Sequence, residues 1–202
     1  MALWLADKPL VLASKSDVRR KLLEAAAIPV EVRPADIDER ALERSAKTSD
    51  PGAVAALLAR EKARAISVAM PGRLVLGADQ TLALGAQRFD KPSGRAAARE
   101  QLRTLAGKTH ALHSAFAFVR DGTVRFEKIE VARLTMRAFT DEFLEAYLDA
   151  AGSAVIASVG AYQLEALGVH LFERIEGDHS CILGLPLLSA LIFLRAEGYL
   201  AG

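Results

Sequence analysis

The sequence predicts an α/β fold around a mixed sheet, and three observations predict it. Short apolar runs alternate with longer amphipathic stretches along the whole chain. Pro, Gly and Asp punctuate the junctions, with no low-complexity linker and no internal repeat. One pair of long alternating stretches meets at Asp121-Gly122, a hairpin signal that puts an antiparallel pair into an otherwise βα-like chain. A length of 202 residues suits one domain of two lobes spanning residues 1–202, and a 51% hydrophobic content is enough for a sizeable core.

The elements follow in order. Leu10–Ala13 is an apolar strand; Asp17–Ala27 has helical periodicity and ends before Pro29. Val30–Arg33 reads as a second strand running into an acidic loop, Asp36-Ile-Asp38-Glu39-Arg40. Asp50-Pro51 is an N-cap followed by Pro at the first helical position, opening a helix through Ala53–Ala69 that stops at Pro71-Gly72. Leu74–Ala78 is a buried strand expected to end at Asp79-Gln80-Thr81. Ser93 is placed to cap a helix over Arg95–Ala106, with Gly107 just past its end. His110–Arg120 and Thr123–Ala138 form the hairpin; Thr140 caps a helix with Asp141 and Glu142 in its first turn, through about Ala150. A last helix runs from Pro186 to Gly198.

Bulk properties narrow the function. A net charge of +1 argues against a broad footprint for duplex nucleic acid, so any phosphate ligand should be small and locally held. The single cysteine, Cys181, excludes an internal disulfide and a multi-Cys zinc site, and its apolar setting reads as a buried inert thiol. No stretch is apolar enough to span a bilayer, and Ala2–Leu5 is followed too soon by Asp7 and Lys8 for a signal peptide. The expectation is a soluble cytoplasmic protein with no membrane partner. The sequence leaves room for a homodimer without specifying one.

Candidate chemistry gathers at element ends. Ser14, Ser16, Arg19 and Arg20 lie where a strand passes into a helix, and backbone N–H groups at a helix start favour anions while Arg forks onto phosphate oxygens. Asp79 follows a buried strand, where α/β proteins place ligand-binding groups; a plain turn residue is the other reading. Lys91, held extended by Pro92, can present a point charge to phosphate or be an exposed turn lysine. Asp36, Asp38 and Glu39 could help hold a divalent cation or simply form an acidic surface loop. Lys62 is an ordinary helix residue unless its helix lines a site. Gly107-Lys108-Thr109 copies the end of a P-loop, but Leu102 stands where that motif needs Gly, and a helix precedes it. His110 and His113, three apart on a strand, face opposite sides and make no metal pair.

Taken in order, the motifs resemble the Maf family of nucleoside triphosphate pyrophosphatases over nearly the whole chain. The matching stretches are Leu12-Ala-Ser14 with Ser16, Arg19 and Arg20; Asp38-Glu39; Glu61-Lys62-Ala63; Gly77-Ala78-Asp79-Gln80; Lys91-Pro92; and Leu105-Ala106-Gly107 with His110. Gly160 to Glu165, Leu171 to Gly177 and Gly184-Leu185-Pro186-Leu187 complete the set. The resemblance implies a Maf/ITPase-like fold, two lobes around a twisted mixed sheet with a deep nucleotide-binding cleft. It implies cleavage between the α- and β-phosphates with a divalent metal, Mg²⁺ or Mn²⁺, yielding a nucleoside monophosphate and pyrophosphate.

By the same resemblance, Asp79 is the proton acceptor and, with Glu39, a metal ligand. Ser14, Arg19, Arg20, Lys62 and Lys91 become phosphate-binding residues. Gln80 after Asp79, together with Val18 and Glu165, resembles members acting on 7-methyl-GTP rather than on dTTP and UTP. A buried carboxylate at Glu165 would suit the N1–H/N2–H edge of guanine. The sequence departs from the family at Asp17 (commonly Pro), Asp90 (usually Gly) and Ser180-Cys181 (commonly Asn-Val). Two other readings remain: a dTTP/UTP pyrophosphatase of the same family, and a non-catalytic nucleotide-binding regulator of septum formation. A broader phosphatase releasing orthophosphate is a third, separable by its product.

Overall fold

The computed structural model describes residues 2–202. Seven strands are present among them: β1 (Leu10–Leu12), β2 (Val30–Val32), β3 (Val75–Leu84), β4 (Gln87–Phe89), β5 (Thr109–Arg120), β6 (Thr123–Met136) and β7 (Phe172–Glu176). The helices are α1 (Asp17–Ala25), α2 (Glu39–Ala46), α3 (Pro51–Ala69), α4 (Arg95–Leu105), α5 (Asp141–Ala151), α6 (His179–Ile182) and α7 (Leu187–Ala196), with three short 3-10 turns after α5. In pairing order the strands run β2-β1-β3-β5-β6-β7, with β4 added to β3. β1 is parallel to β2 and β3, while β4 on β3 and β7 on β6 are antiparallel. The mixed α/β sheet is as expected, its antiparallel part following from the hairpin.

The described chain divides into two compact units: residues 2–80, 114–130 and 178–202 form the first, and 81–113 with 131–177 the second. In the first unit, helices cover both sheet faces, and strand alternation sorts the side chains. Leu10, Leu12, Leu74, Leu76, Ala78, Phe116 and Phe118 point to one core with Leu23 of α1 and Phe193 and Leu194 of α7. Val11, Ala13, Val75, Ala117 and Val119 point to the other, against Ala63 and Ile66 of α3. Strands buried on both faces read as continuous apolar runs, which is why Leu10–Ala13 and Leu74–Ala78 show no alternation of their own. At the hairpin, Asp121 (φ 51°) and Gly122 (φ 74°) both take left-handed backbone, the requirement of a tight two-residue turn. Asp121 Oδ1 accepts from Gly72 N–H at 2.6 Å and Ser67 Oγ accepts from Gly122 N–H, tying the turn to the end of α3.

The second unit packs α4 against α5, with Arg95 reaching Glu145 and Asp149, and Arg103 reaching Asp141. At its centre His110 Nε2 and Tyr162 Oη lie 2.7 Å apart, and both rings pack on Phe172. Burial brings the His110 imidazole down to about 4, so it is neutral at pH 7.

Several expectations are corrected. β3 does not end at Asp79-Gln80-Thr81 but continues to Leu84, because β4 pairs with Leu82 to Leu84 and supplies a ladder partner the local sequence does not reveal. The acidic loop is partly helix: Asp38 caps α2, accepting from Ala41 N–H at 2.9 Å, and Glu39 opens it. Gly94, not Ser93, sits at the start of α4, and no side chain caps it. α1 ends at Ala25, since Ala27 turns left-handed (φ 58°) and Ile28 N–H closes onto Leu23 O. The strand β7 and the short helix α6, with Asp178 as its cap, were not expected.

Candidate active site

The first unit builds the site where β1 gives way to α1, beside β3 and α3. Ser16 caps α1, its Oγ accepting from Arg19 N–H, and Ser14 Oγ accepts from Ser16 N–H at 3.2 Å. Arg19 turns inward from this first turn. Its Nε donates to Gly184 O at 2.8 Å, and its Nη1 to Ala78 O at 2.8 Å and Ser14 Oγ at 3.2 Å. Three of its five donors are thus spent on protein, which fixes the plane of the fork. Burial lowers the Arg19 pKa, with Asp79 and Glu39 pulling it back up.

Lys62 and Asp79 meet because α3 lies flush on β3. Val75, Gly77 and Asp79 share the strand face toward α3, and a Cβ at Gly77 would stand 2.0 Å from Ala59 O and 2.8 Å from Ala63 N. Only glycine permits this approach. Lys62 Nζ then reaches Asp79 Oδ1 at 2.6 Å and Glu39 Oε1, at the start of α2, at 2.9 Å. Lys62 and Asp79 are each 13% exposed and Glu39 48%, so the pair is sheltered and opens toward Glu39. Burial pushes the Asp79 carboxyl above the ordinary carboxylate value, while Lys62 and Arg19 oppose that rise and favour the ionised form. Arg19, Lys62, Asp79 and Glu39 thus bring two cationic and two acidic side chains together.

Gln80, the next residue on β3, points to the opposite face. Its Nε2 lies 2.8 Å from Ser114 Oγ and 3.0 Å from both Cys181 O and Ile182 O; two carbonyl partners require an N–H there and fix the orientation of the amide. Ser114 Oγ, fully buried, donates to Cys181 O at 2.7 Å. Ser180 joins this corner, donating to Asp178 and accepting from Leu187 N–H at 2.9 Å, so a departure from the family pattern ties α6 to the start of α7. The Cys181 thiol is buried and pushed up to about 11 by that burial, which leaves it protonated and inert, as its apolar setting suggests.

Of the residues singled out from sequence, the structure brings Ser14, Arg19, Glu39, Lys62 and Asp79 together, with Gln80 adjoining. Arg20 faces away, held by Glu24 at 2.8 Å and Asp17 at 3.3 Å. Val18 is half-buried in the first turn of α1. Lys91 and Glu165 belong to the second unit, and both are exposed. The expectation of a buried carboxylate at Glu165 is therefore corrected: it sits in a turn after Leu164, where its charge is solvated. The Asp90 backbone carbonyl accepts from Gln101 Nε2 at 2.7 Å. Sequence reasoning gave no role to Gly77, to Ser114 or to the carbonyls of Ala78 and Gly184. An isolated glycine inside an apolar strand signals a close approach, but a serine or a carbonyl shows no role until its neighbours are known.

The donor set suits a hard divalent ion. The Asp79 and Glu39 carboxylates converge on one cation, the Lys62 ammonium, and carboxylate oxygens are the ligands Mg²⁺ and Mn²⁺ prefer. Among the described residues no group of three or more His, Cys, Asp or Glu is placed to hold a metal, so further ligands would come from water and phosphate.

Comparison with known sequences agrees with the motif reading. The profile of the family described as Maf-like protein matches residues 9–197. A protein of Nitrobacter hamburgensis named nucleoside triphosphate pyrophosphatase is 57% identical over 201 residues, covering 100% of each chain. One of Rhodopseudomonas palustris with the same name is also 57% identical with the same coverage. A Rhizobium etli protein named 7-methyl-GTP pyrophosphatase is 48% identical over 195 residues, 96% of this chain and 98% of its own. Among the described residues, no helix is long and apolar enough to cross a membrane.

Proposed function

The chain belongs to the Maf family, and from that premise we propose that it is a cytoplasmic nucleoside triphosphate pyrophosphatase preferring 7-methyl-GTP. The observation that carries the reaction is the sheltered Lys62–Asp79 pair at 2.6 Å, flanked by Glu39 and Arg19. Asp79, whose ionised form Lys62 and Arg19 favour against the effect of burial, takes a proton from water. The water oxygen bonds to the α-phosphorus, the bond from that phosphorus to the bridging oxygen breaks, and pyrophosphate leaves with the electron pair. Ser14, Arg19 and Lys62 bind the triphosphate, which carries about four negative charges near pH 7, through charge-assisted hydrogen bonds. A divalent ion held by Glu39 and Asp79 would supply charge neutralisation and a more acidic bound water.

The base preference rests on Asp79-Gln80 and on the name of the Rhizobium etli relative. Gln80 spends its N–H donors on Ser114 and the α6 carbonyls, which leaves Oε1, an acceptor suited to the N–H edge of guanine rather than to the O2 of a pyrimidine. Val18, half-buried in the first turn of α1, is the other proposed base-selecting residue. The test is a turnover panel of 7-methyl-GTP, GTP, dTTP, UTP, CTP and ITP with Mg²⁺ or Mn²⁺, resolving pyrophosphate from orthophosphate. Pyrophosphate release led by 7-methyl-GTP is expected. A dTTP or UTP lead would overturn the base preference alone, and folded protein that turns over nothing would overturn the reaction.

A further inference from the structure

Two of the proposed roles cannot be held at once in the geometry seen. Lys62 is to grip phosphate while Asp79 and Glu39 hold a divalent cation, yet the Lys62 ammonium occupies both carboxylates, at 2.6 and 2.9 Å. We propose that Lys62 is a placeholder cation. In the nucleotide-free protein it neutralises Asp79 and Glu39 and excludes free divalent metal; it yields the carboxylates only to metal that arrives already bound to a triphosphate. The species recognised is thus the metal–nucleotide complex. This rests on the pyrophosphatase reading above.

Charge decides the order. The resting cluster already sets two cationic side chains, Arg19 and Lys62, beside two acidic ones, Asp79 and Glu39. A bare dication would join two fixed cations in a sheltered place where like charges repel strongly. It would also find only two protein ligands, where Mg²⁺ seeks six and normally takes the remainder from water and substrate phosphates. An incoming triphosphate removes both obstacles, since it supplies oxygen ligands and about four negative charges. It also gives Lys62 a new partner within reach of a flexible four-carbon stem. Arg19 has no such freedom, being pinned to Gly184 O, Ala78 O and Ser14 Oγ. Lys62 is therefore the cation that moves and Arg19 the one that stays.

The test measures metal binding without nucleotide. Mn²⁺ is titrated into wild type and Lys62→Met at pH 7.5, with free Mn²⁺ read by electron paramagnetic resonance. Lys62→Met is expected to bind Mn²⁺ at least tenfold more tightly than wild type, and adding Glu39→Gln should abolish the gain. Equal or weaker binding by folded Lys62→Met would overturn the proposal. Should that variant fail to fold, the ¹⁵N resonance of the wild-type Lys62 ammonium decides. It is expected to hold still with Mg²⁺ alone and to move with Mg²⁺ plus an α,β-methylene nucleoside triphosphate. Movement with Mg²⁺ alone, or with neither addition, would overturn it. Pyrophosphate release by wild type is scored separately: its absence refutes the enzymatic reading and leaves the metal titration to stand or fall alone.

Discussion

Replacing Gly77 by Ala adds one methyl where β3 and α3 already touch. The new carbon would stand 2.0 Å from Ala59 O, 2.8 Å from Ala63 N and 2.9 Å from Ala63 Cβ, two of them backbone atoms of a helix that cannot rotate away. Ordinary C···O separations begin near ~3.3 Å, so α3 must withdraw by about 1.3 Å or the strand must buckle. Overpacking of this kind costs roughly 1–3 kcal/mol and at times more, and a backbone clash belongs at the upper end. At about 2–4 °C per kcal/mol for a chain of this size, Tm should fall by roughly 6–12 °C. The same withdrawal lengthens the Lys62–Asp79 contact from 2.6 Å, and a misplacement of about 1 Å can cost ~10²-fold in rate. The assay pairs a thermal melt by circular dichroism with pyrophosphate release well below the lowered Tm. Gly94→Ala is the control, since its extended backbone tolerates any residue and a Cβ there meets nothing within 4 Å. A Gly77→Ala protein melting within about 2 °C of wild type would refute the view that glycine sets the α3–β3 approach.

Three further outcomes are expected. Asp79→Asn should fold but lose ~10²–10⁴-fold in kcat, the span of a positioned proton acceptor; near-wild-type turnover would remove Asp79 from the reaction. Ser114→Ala should lower stability to urea by about 1 kcal/mol, because Gln80 Nε2 and Cys181 O each lose one partner but keep another; no change would mean the corner is not held by that hydroxyl. The His110 pKa is depressed to about 4 in the folded chain, so its stabilising effect is complete above the unfolded value near 6.5 and is lost as pH falls toward 4. The loss amounts to roughly 3 kcal/mol. The urea midpoint should drop over that window, and His110→Asn should flatten the drop; an unchanged slope would refute the assignment.

The sequence by itself determined the alternation of strands and helices, the Asp121-Gly122 turn and the capping of α3 by Asp50, because turn geometry and hydrophobic periodicity act through neighbours a few residues apart. It also showed Ser14, Arg19, Lys62 and Asp79 as a set, through motifs in order rather than through any single contact. It could not show that β3 runs on past Asp79, since that depends on a ladder partner in β4. Nor could it separate Arg19, buried and pinned by three acceptors, from Arg20, its neighbour, solvated between Asp17 and Glu24. Adjacent helix positions differ by about 100° around the axis, and which of them faces the strands is decided by how the helix packs. Tertiary structure likewise set Lys62 on Asp79 and Glu39, the contact on which the proposed chemistry turns: it requires α3 to close on a strand with no side chain at Gly77, and residues far apart in the chain meet only when that packing is complete.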